Sequence, residues 1–98
     1  GPAGLHGYGD EQAAVQAMPG AQRVLGAGLT EAMVRFAARF EYARSVEDVL
    51  ARRSRVLFLD ARLAREMAQP VADILQQETA RDPQLAAFLT LAQQYLMV

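Results

Sequence analysis

The chain has 98 residues, of which 52% are hydrophobic and 21% charged, and this balance is typical of one small folded domain rather than of a disordered tail. Its ten basic residues are all arginine and oppose eleven acidic ones, so the net charge of -1 excludes a global field that would draw the chain onto nucleic acid or an anionic membrane. The absence of cysteine excludes disulfides, thiolate nucleophiles and the usual structural zinc sites, and the single His6 cannot build a metal site alone.

Residues 1–29 are predicted to form a Gly- and Pro-rich N-terminal connecting segment with one short helix. Gly1 and Pro2 are typical of a cleaved purification tag, so they are left out of the fold prediction. Asp10 can cap a helix around Glu11 to Met18, which a Pro-Gly pair ends. The stretch AQRVLGAGL then predicts a loop leading to a helical domain over residues 30–98, the two parts making a single compact domain.

The first strong helix is predicted over Glu31 to Ala43. Thr30 can cap it, and Glu31 suits its first turn. Apolar residues recur at spacings of three and four, which predicts a helix face turned to the core, made of Met33, Phe36, Ala37 and Phe40.

A second, shorter helix is predicted in SVEDVLARR. Ser45 and Asp48 have the spacing of a capping box, in which each side chain accepts from the other residue's backbone amide. Val46, Val49 and Leu50 lie along one face of this helix. The next apolar run, Val56 to Leu59, is too short to separate strand from helix by periodicity, and its helical surroundings favour helix.

The C-terminal part predicts two longer helices. Asp60 can cap one whose apolar period continues across Pro70, with a stripe of Leu63, Met67, Val71, Ile74 and Leu75. This indicates either a long helix kinked near Pro70 or two helices meeting there. Asp82 as N-cap and Pro83 as the first helical residue predict the last helix, with an apolar stripe of Leu85, Phe88, Leu89, Ala92, Tyr95 and Leu96. The fold class is therefore predicted to be all-α, a bundle of about five helices.

Catalytic chemistry finds little support in the residue types present. Glu47 and Asp48 are neighbours on a helix, so their carboxylates diverge by about 100° instead of converging on one substrate. GLHGYG and GAGL match neither a Walker loop nor a dinucleotide fingerprint. We predict no catalytic, cofactor-binding or metal residue, and the aromatic residues are predicted to lie in the core: Phe36, Phe40, Phe58, Phe88 and Tyr95.

The stretch from Phe40 to Arg62 is dense in both charges and has two interpretations. In the first interpretation, its arginines at positions 44, 52, 53 and 55 bind phosphates, as basic helices do in nucleic-acid-binding proteins. Asp48, however, lies four residues after Arg44 and four before Arg52, and this pairing favours ties within the fold.

Arg53 shares a helical face with Val46, Val49 and Leu50, so it is predicted to point toward the core. A guanidinium there needs a carboxylate or several carbonyls, so we predict a partly buried ion pair, with Glu41 on the preceding helix as the first candidate partner and Asp48 or Asp60 as the others. The structural ion-pair candidates are Arg39, Glu41, Asp48, Arg52 and Arg53.

The string from Thr30 to Leu75 resembles the C-terminal helical domain of flavin-dependent, aerobic glycerol-3-phosphate dehydrogenases. That family carries a stretch of the form T-x-A-E-V-x-x-A-x-R-x-E-x-A-x-x-x-x-D-x-L-x-R-R. In register with it are Thr30, Ala32, Ala37, Arg39, Glu41, Ala43, Asp48, Leu50, Arg52 and Arg53. The chain departs from it at Met33, Phe40 and Tyr42, where the family usually has an acid, His and Met.

The resemblance implies that the chain is a non-catalytic, structural domain whose parent enzyme binds FAD, oxidises glycerol 3-phosphate to dihydroxyacetone phosphate and passes electrons to quinone. Its expected partner is the catalytic FAD domain of its own parent chain, with a homodimer possible, no nucleic acid, and only peripheral membrane contact through the parent. No apolar run approaches the roughly 20 residues of a membrane span. The expected location is therefore cytoplasmic, at the inner face of the membrane in the full-length enzyme. The alternative is a free-standing helical module that binds protein or nucleic acid.

Overall fold

The computed structural model describes residues 12–97, and most of them are helical. Residues 12–17 form a first helix, α1, whose predicted cap and start, Asp10 and Glu11, lie outside the described residues, as do Gly1, Pro2 and His6. The remaining elements are β1 (Val24–Gly26), β2 (Leu29–Thr30), α2 (Glu31–Phe40), a π-helical segment (Asp48–Arg53), α3 (Val56–Leu59), α4 (Ala61–Thr79) and α5 (Leu85–Leu96). The predicted all-α bundle is confirmed.

The long helix α4 is the centre of the bundle, and α2, α3, α5 and β1 all pack against it. Asp60 caps it as predicted, because its Oδ1 accepts from the Leu63 amide at 3.0 Å. The helix continues through Pro70 as one element, so this region is a single long helix and not two helices that meet there. Its buried face is Ala64, Met67, Ala68, Val71, Ala72, Ile74 and Leu75. Four residues of the predicted stripe belong to this face, while the fifth, Leu63, is half-buried and the three alanines were not predicted.

The loop predicted before residue 30 contains a short antiparallel hairpin of β1 and β2. Its two connecting residues, Ala27 and Gly28, have φ angles of 51° and 78°, and a two-residue turn with both central residues at positive φ matches the twist of a hairpin. The usual Asn-Gly signal is missing, which is why the pattern predicts a loop. At Gly26 a Cβ would stand 2.8 Å from the Met67 sulfur, so the hairpin approaches α4 closely through a glycine.

Helix α2 begins as predicted and then departs from the prediction in two ways. The Thr30 hydroxyl accepts from the Met33 amide at 3.2 Å, which confirms the cap. The helix ends at Phe40 rather than Ala43, because Tyr42 takes a φ of 61° and the Ala43 amide turns back to the Ala37 carbonyl. Its buried face is Ala32, Val34, Ala37 and Ala38.

The predicted core face of α2 is thus mostly wrong. Met33 is 42% exposed and Phe40 58% exposed, and Ala37 alone belongs to both the predicted and the observed face. Small side chains face α4 because they let the two helix backbones approach closely, while the larger ones are left at the surface.

Helix α5 begins two residues later than predicted. Asp82 does not cap it but accepts from the Gln84 amide at 2.8 Å in a turn, and Gln84 has a left-handed φ of 58°. Pro83 is buried outside the helix, and its carbonyl accepts from the Val46 amide at 2.9 Å. Local preference places Pro83 in the first turn of the helix, but a tertiary hydrogen bond from Val46 holds it outside the helix.

Candidate functional site

Ser45 and Asp48 form the reciprocal capping pair that their spacing predicts. The Ser45 hydroxyl accepts from the Asp48 amide at 3.1 Å, and the Asp48 carboxylate accepts from the amides of Arg44 and Ser45. Burial on its own would raise the pKa of Asp48. The two backbone amides, the Ser45 side chain and the charge of Arg52 outweigh it, so the pKa lies below the ordinary value. This acid is engaged as a cap and stays ionised at neutral pH.

The segment that follows the cap is wider than an ordinary helical turn. The Ser54 amide donates to the Val49 carbonyl at 3.1 Å, an i to i−5 bond, and the Ser54 hydroxyl donates to the same oxygen at 2.7 Å. Val49 and Leu50 stay buried, whereas the Arg53 side chain is 37% exposed. The prediction that Arg53 points toward the core is therefore wrong.

Arg53 lies beside Glu41, the first of its three candidate partners. Its Nη1 is 2.9 Å from Glu41 Oε1, and its Nη2 donates to the Glu41 backbone carbonyl at 2.9 Å. Both side chains are about one-third exposed. The contact joins the π-helical segment to the end of α2, at the surface of the bundle.

The other arginines of this stretch contact separate groups. Arg52 lies 3.3 Å from Asp48 and 3.6 Å from Glu47, as an exposed side chain. Arg44 donates to the carbonyls of Ala38 and Ala43. The charges of this stretch therefore cap one element or join neighbouring ones.

A second and more enclosed network joins α2 to α4. Glu78 accepts from Arg35 at 2.7 Å and from Arg39 at 2.6 Å, and its side chain is only 9% exposed. Arg35 also pairs with Glu31, which in turn contacts Arg23. The site candidate Arg39 belongs here, whereas Arg53 and Glu41 lie in the other cluster.

The two acids of this network are held in their ionised form. The hydrogen bond from Arg39 lowers the pKa of Glu78, and the hydrogen bonds from Arg35 and Arg23 lower the pKa of Glu31. The i,i+4 spacing of Glu31 and Arg35 was a signal available in the sequence. Nothing in the sequence pointed to Glu78, which lies 43 residues from Arg35.

A depression with a volume of about 330 Å³ lies beside the Arg53 and Glu41 pair. It is lined by Glu41, Tyr42, Ala43, Asp48, Arg52 and Arg53. Its two acids, Glu41 and Asp48, already contact its arginines or backbone amides. Among residues 12–97 no group of three His, Asp or Glu side chains is arranged to hold a metal ion.

Most aromatic side chains predicted for the core lie at the surface instead. Phe40, Phe58 and Tyr95 are 58%, 48% and 40% exposed, while Phe88 is 1% exposed. Phe58 and Tyr95 meet edge to face with ring centroids 5.4 Å apart, and the Arg55 guanidinium lies over the Phe58 ring at 5.9 Å. These exposed rings, unlike the paired charges, are free to contact another molecule.

Comparison with known proteins places these features in a family. A family model described as the C-terminal domain of alpha-glycerophosphate oxidase matches residues 5–86. A curated relative, the mitochondrial glycerol-3-phosphate dehydrogenase of Schizosaccharomyces pombe, is 38% identical over 53 residues, which are 54% of this chain and 8% of that protein. The chain therefore spans a small fraction of this relative's length. No solved structure matches. Within residues 12–97 no helix is both long and apolar enough to cross a membrane.

Proposed function

Because this chain belongs to the family of C-terminal domains of alpha-glycerophosphate oxidase, as the resemblance read from its sequence implied, we propose that it is the non-catalytic accessory domain of an FAD-dependent glycerol-3-phosphate dehydrogenase. The parent enzyme oxidises glycerol 3-phosphate to dihydroxyacetone phosphate. FAD is held by the catalytic part of the parent and not by this domain. The role of the domain is to pack against that part and stabilise it.

One observation carries the non-catalytic role: the acids of the two charged clusters described above are engaged within the domain. Glu78 accepts hydrogen bonds from two arginines, Glu41 accepts from Arg53, and Asp48 accepts from backbone amides. A general acid or base needs a group that is open to substrate, with a pKa near the working pH. The pKa values of Glu31, Asp48 and Glu78 are lowered by their partners, away from that range.

The electron acceptor and the surroundings of the parent are part of the proposal. The family description names an oxidase, whereas the relative is named a dehydrogenase. We take quinone as the acceptor and place the parent in the cytoplasm, peripheral to the inner face of the membrane. Assay of the parent with a soluble quinone and with O2 separates the two, because an oxidase releases hydrogen peroxide.

The direct test compares three purified proteins: the full parent chain, the parent truncated before this domain, and the 98-residue chain alone. We expect the 98-residue chain to be colourless and inactive with glycerol 3-phosphate. The truncated parent is expected to retain flavin and to unfold at a lower temperature than the full chain. A yellow 98-residue protein that retains FAD, or an equal melting temperature with and without the domain, would contradict the proposal.

A further inference from the structure

We infer that the domain docks onto the flavin-binding body through one particular surface, here called the α3–α5 face, made of Arg55, Phe58, Leu59, Tyr95 and Met97. The inference rests on the proposed function and adds to it the surface and the chemistry of its partner. That partner surface is an apolar socket on the body with acidic side chains at its rim.

The composition of the α3–α5 face is that of an interface centre. Leu59 is 80% exposed and Met97 77% exposed, and Phe58 and Tyr95 are each exposed by 40% or more. Phe, Tyr, Met and Arg are the residue types enriched where protein partners meet, while isolated surfaces rarely expose several large apolar side chains together. Burial of this group against a partner removes apolar area from water.

The face is also held in shape before any partner arrives. The edge-to-face contact of Phe58 with Tyr95 joins α3 to α5, and Arg55 lies over the Phe58 ring. Side chains that are already ordered lose less conformational entropy on binding, so more of their contact energy remains as affinity. A ready-made aromatic pair is therefore better suited to docking than separate mobile rings.

Charge at the edge of the face indicates the chemistry of the partner. Arg55 lies on the face itself, and Arg65 reaches α5 by donating to Gln93 at 3.4 Å, with Arg62 one turn before it on α4. Within the described part of the chain no carboxylate lies within 4.0 Å of these three arginines. Asp60 and Glu66 are close to them in sequence, but Asp60 caps α4 and neither acid forms an ion pair with these arginines. Arginines left without acids favour a partner that supplies them.

The exposed side of α2 is the competing surface, and it lacks this feature. Large apolar and aromatic side chains are exposed there too, and Arg44 lies over the Tyr42 ring. The arginines of that side, however, already have partners within the domain: Arg35 and Arg39 bind Glu78, and Arg44 donates to two backbone carbonyls. This difference selects the α3–α5 face.

The flavin-binding body is the occupant that the comparisons favour. The matched family is described as a C-terminal domain, and the S. pombe relative is far longer than the aligned segment. A body joined to the domain by the same chain is present at a high effective concentration, so a modest face suffices for stable docking.

The experiment uses the full parent chain with a protease site introduced before the domain, cleaved after purification. The dissociation constant between domain and body is measured for wild type, for Leu59→Asp and for the matched control Phe40→Asp. Each variant replaces an exposed apolar side chain, so the fold is expected to survive, as circular dichroism of the 98-residue chain checks. We expect Leu59→Asp to weaken docking by about 30-fold, as at an interface hot spot. Phe40→Asp is expected to change it by less than about 3-fold, the size of effect that near-neutral positions have.

Other outcomes overturn the inference and show what failed. Docking weakened by Phe40→Asp and unchanged by Leu59→Asp places the interface on α2 and leaves the proposed function intact. Wild-type fragments that separate completely after cleavage contradict both the docking role and the face. A dimer of the 98-residue chain that Leu59→Asp dissolves assigns the face to a second copy, and binding to phosphatidylglycerol vesicles that Leu59→Asp abolishes assigns it to lipid.

Discussion

At the scale of single residues, Glu78 is the side chain on which the junction of α2 and α4 depends. It accepts from both Arg35 and Arg39, and it is 9% exposed while Arg35 is 13% exposed. Removal of one member of an enclosed pair leaves the other charge without its partner, which costs more than the pair itself contributes. In the exposed pair of Arg53 and Glu41, water can solvate the charge that remains after one partner is removed, so that extra cost is absent.

Glu78→Ala is therefore expected to lower the free energy of unfolding by about 2 kcal/mol, less than for a fully buried pair because Arg35 keeps Glu31. The matched comparison is Arg53→Met, for which we expect a loss of about 1 kcal/mol or less, given the one-third exposure of that pair. Urea unfolding followed by circular dichroism measures both. Equal losses would show that the two networks do not differ in the way their burial indicates.

The same residue predicts a pH dependence. The pKa values of Glu78 and Glu31 are lowered in the folded state, so the unfolded chain binds protons more readily than the folded chain. Their contribution to stability is full above the ordinary glutamate pKa of about 4.3 and is lost as the pH falls from there through the lower folded values. We expect the stability difference between wild type and Glu78→Ala to be constant near neutral pH and to shrink below about pH 4. A difference that stays constant down to about pH 3 would exclude this linkage.

At the scale of the elements, the turn before β1 depends on a glycine that touches the Glu31 network. Gly20 has a φ of 88°, and its carbonyl accepts from the Arg23 amide at 3.0 Å. A Cβ at this position would stand 2.5 Å from the Cβ of Glu31, which is too close for any side-chain rotation to relieve. A side chain at position 20 would therefore force either this turn or the start of α2 to move.

We expect Gly20→Ala to destabilise the chain by about 2 kcal/mol or more, since it adds a clash to the cost of a left-handed conformation. Gly28→Ala is the control, because Gly28 also has a positive φ of 78° but a methyl group there would meet no atom within 4 Å. Its cost should be about 1 kcal/mol, from the backbone alone. Thermal unfolding of both variants measures the difference, and a Gly28→Ala loss as large as that of Gly20→Ala would refute the clash.

The starts of the elements were predictable where the signal is local, and their ends and faces were not. Thr30, Ser45 and Asp60 bond to amides three residues away, so the sequence contains both partners. Asp82 and Pro83 carry an equally local signal, yet the bond from Val46 to the Pro83 carbonyl delays α5 by two residues. That bond joins positions 37 residues apart, and no sequence window contains it.

At the scale of the whole molecule, Phe88 fastens α5 to the core. It is 1% exposed and is among the largest fully buried side chains of the described residues. Ala92 is the other buried residue of α5, and Leu85 and Leu91 pack against the core as half-buried side chains, so Phe88 is the largest buried side chain of this helix. Loss of that ring leaves a cavity that the neighbouring helices cannot fill without moving.

Phe88→Ala is expected to cost about 3–5 kcal/mol, a large part of the stability of a domain of this size. Tyr95→Ala, at 40% exposure on the same helix, should cost about 1 kcal/mol, because much of its ring already contacts water. Denaturant midpoints of the two variants give the comparison. A larger loss for Tyr95→Ala would mean that the aromatic pair with Phe58, and not Phe88, holds α5.

The sequence by itself determined the all-α class, the caps at Thr30, Ser45 and Asp60, most of the large buried side chains of α4 and the family, since each depends on residue types at short fixed spacings. Tertiary structure alone decided that the distant Glu78 binds both Arg35 and Arg39, that Arg53 lies at the surface, and that Phe58 and Tyr95 are exposed. The physical reason is that helical periodicity shows which residues share a face but not which face meets a neighbour. Which face meets a neighbour depends on how closely the two helix backbones can approach. At α2 the alanines of the buried face have small side chains, which permit a close approach.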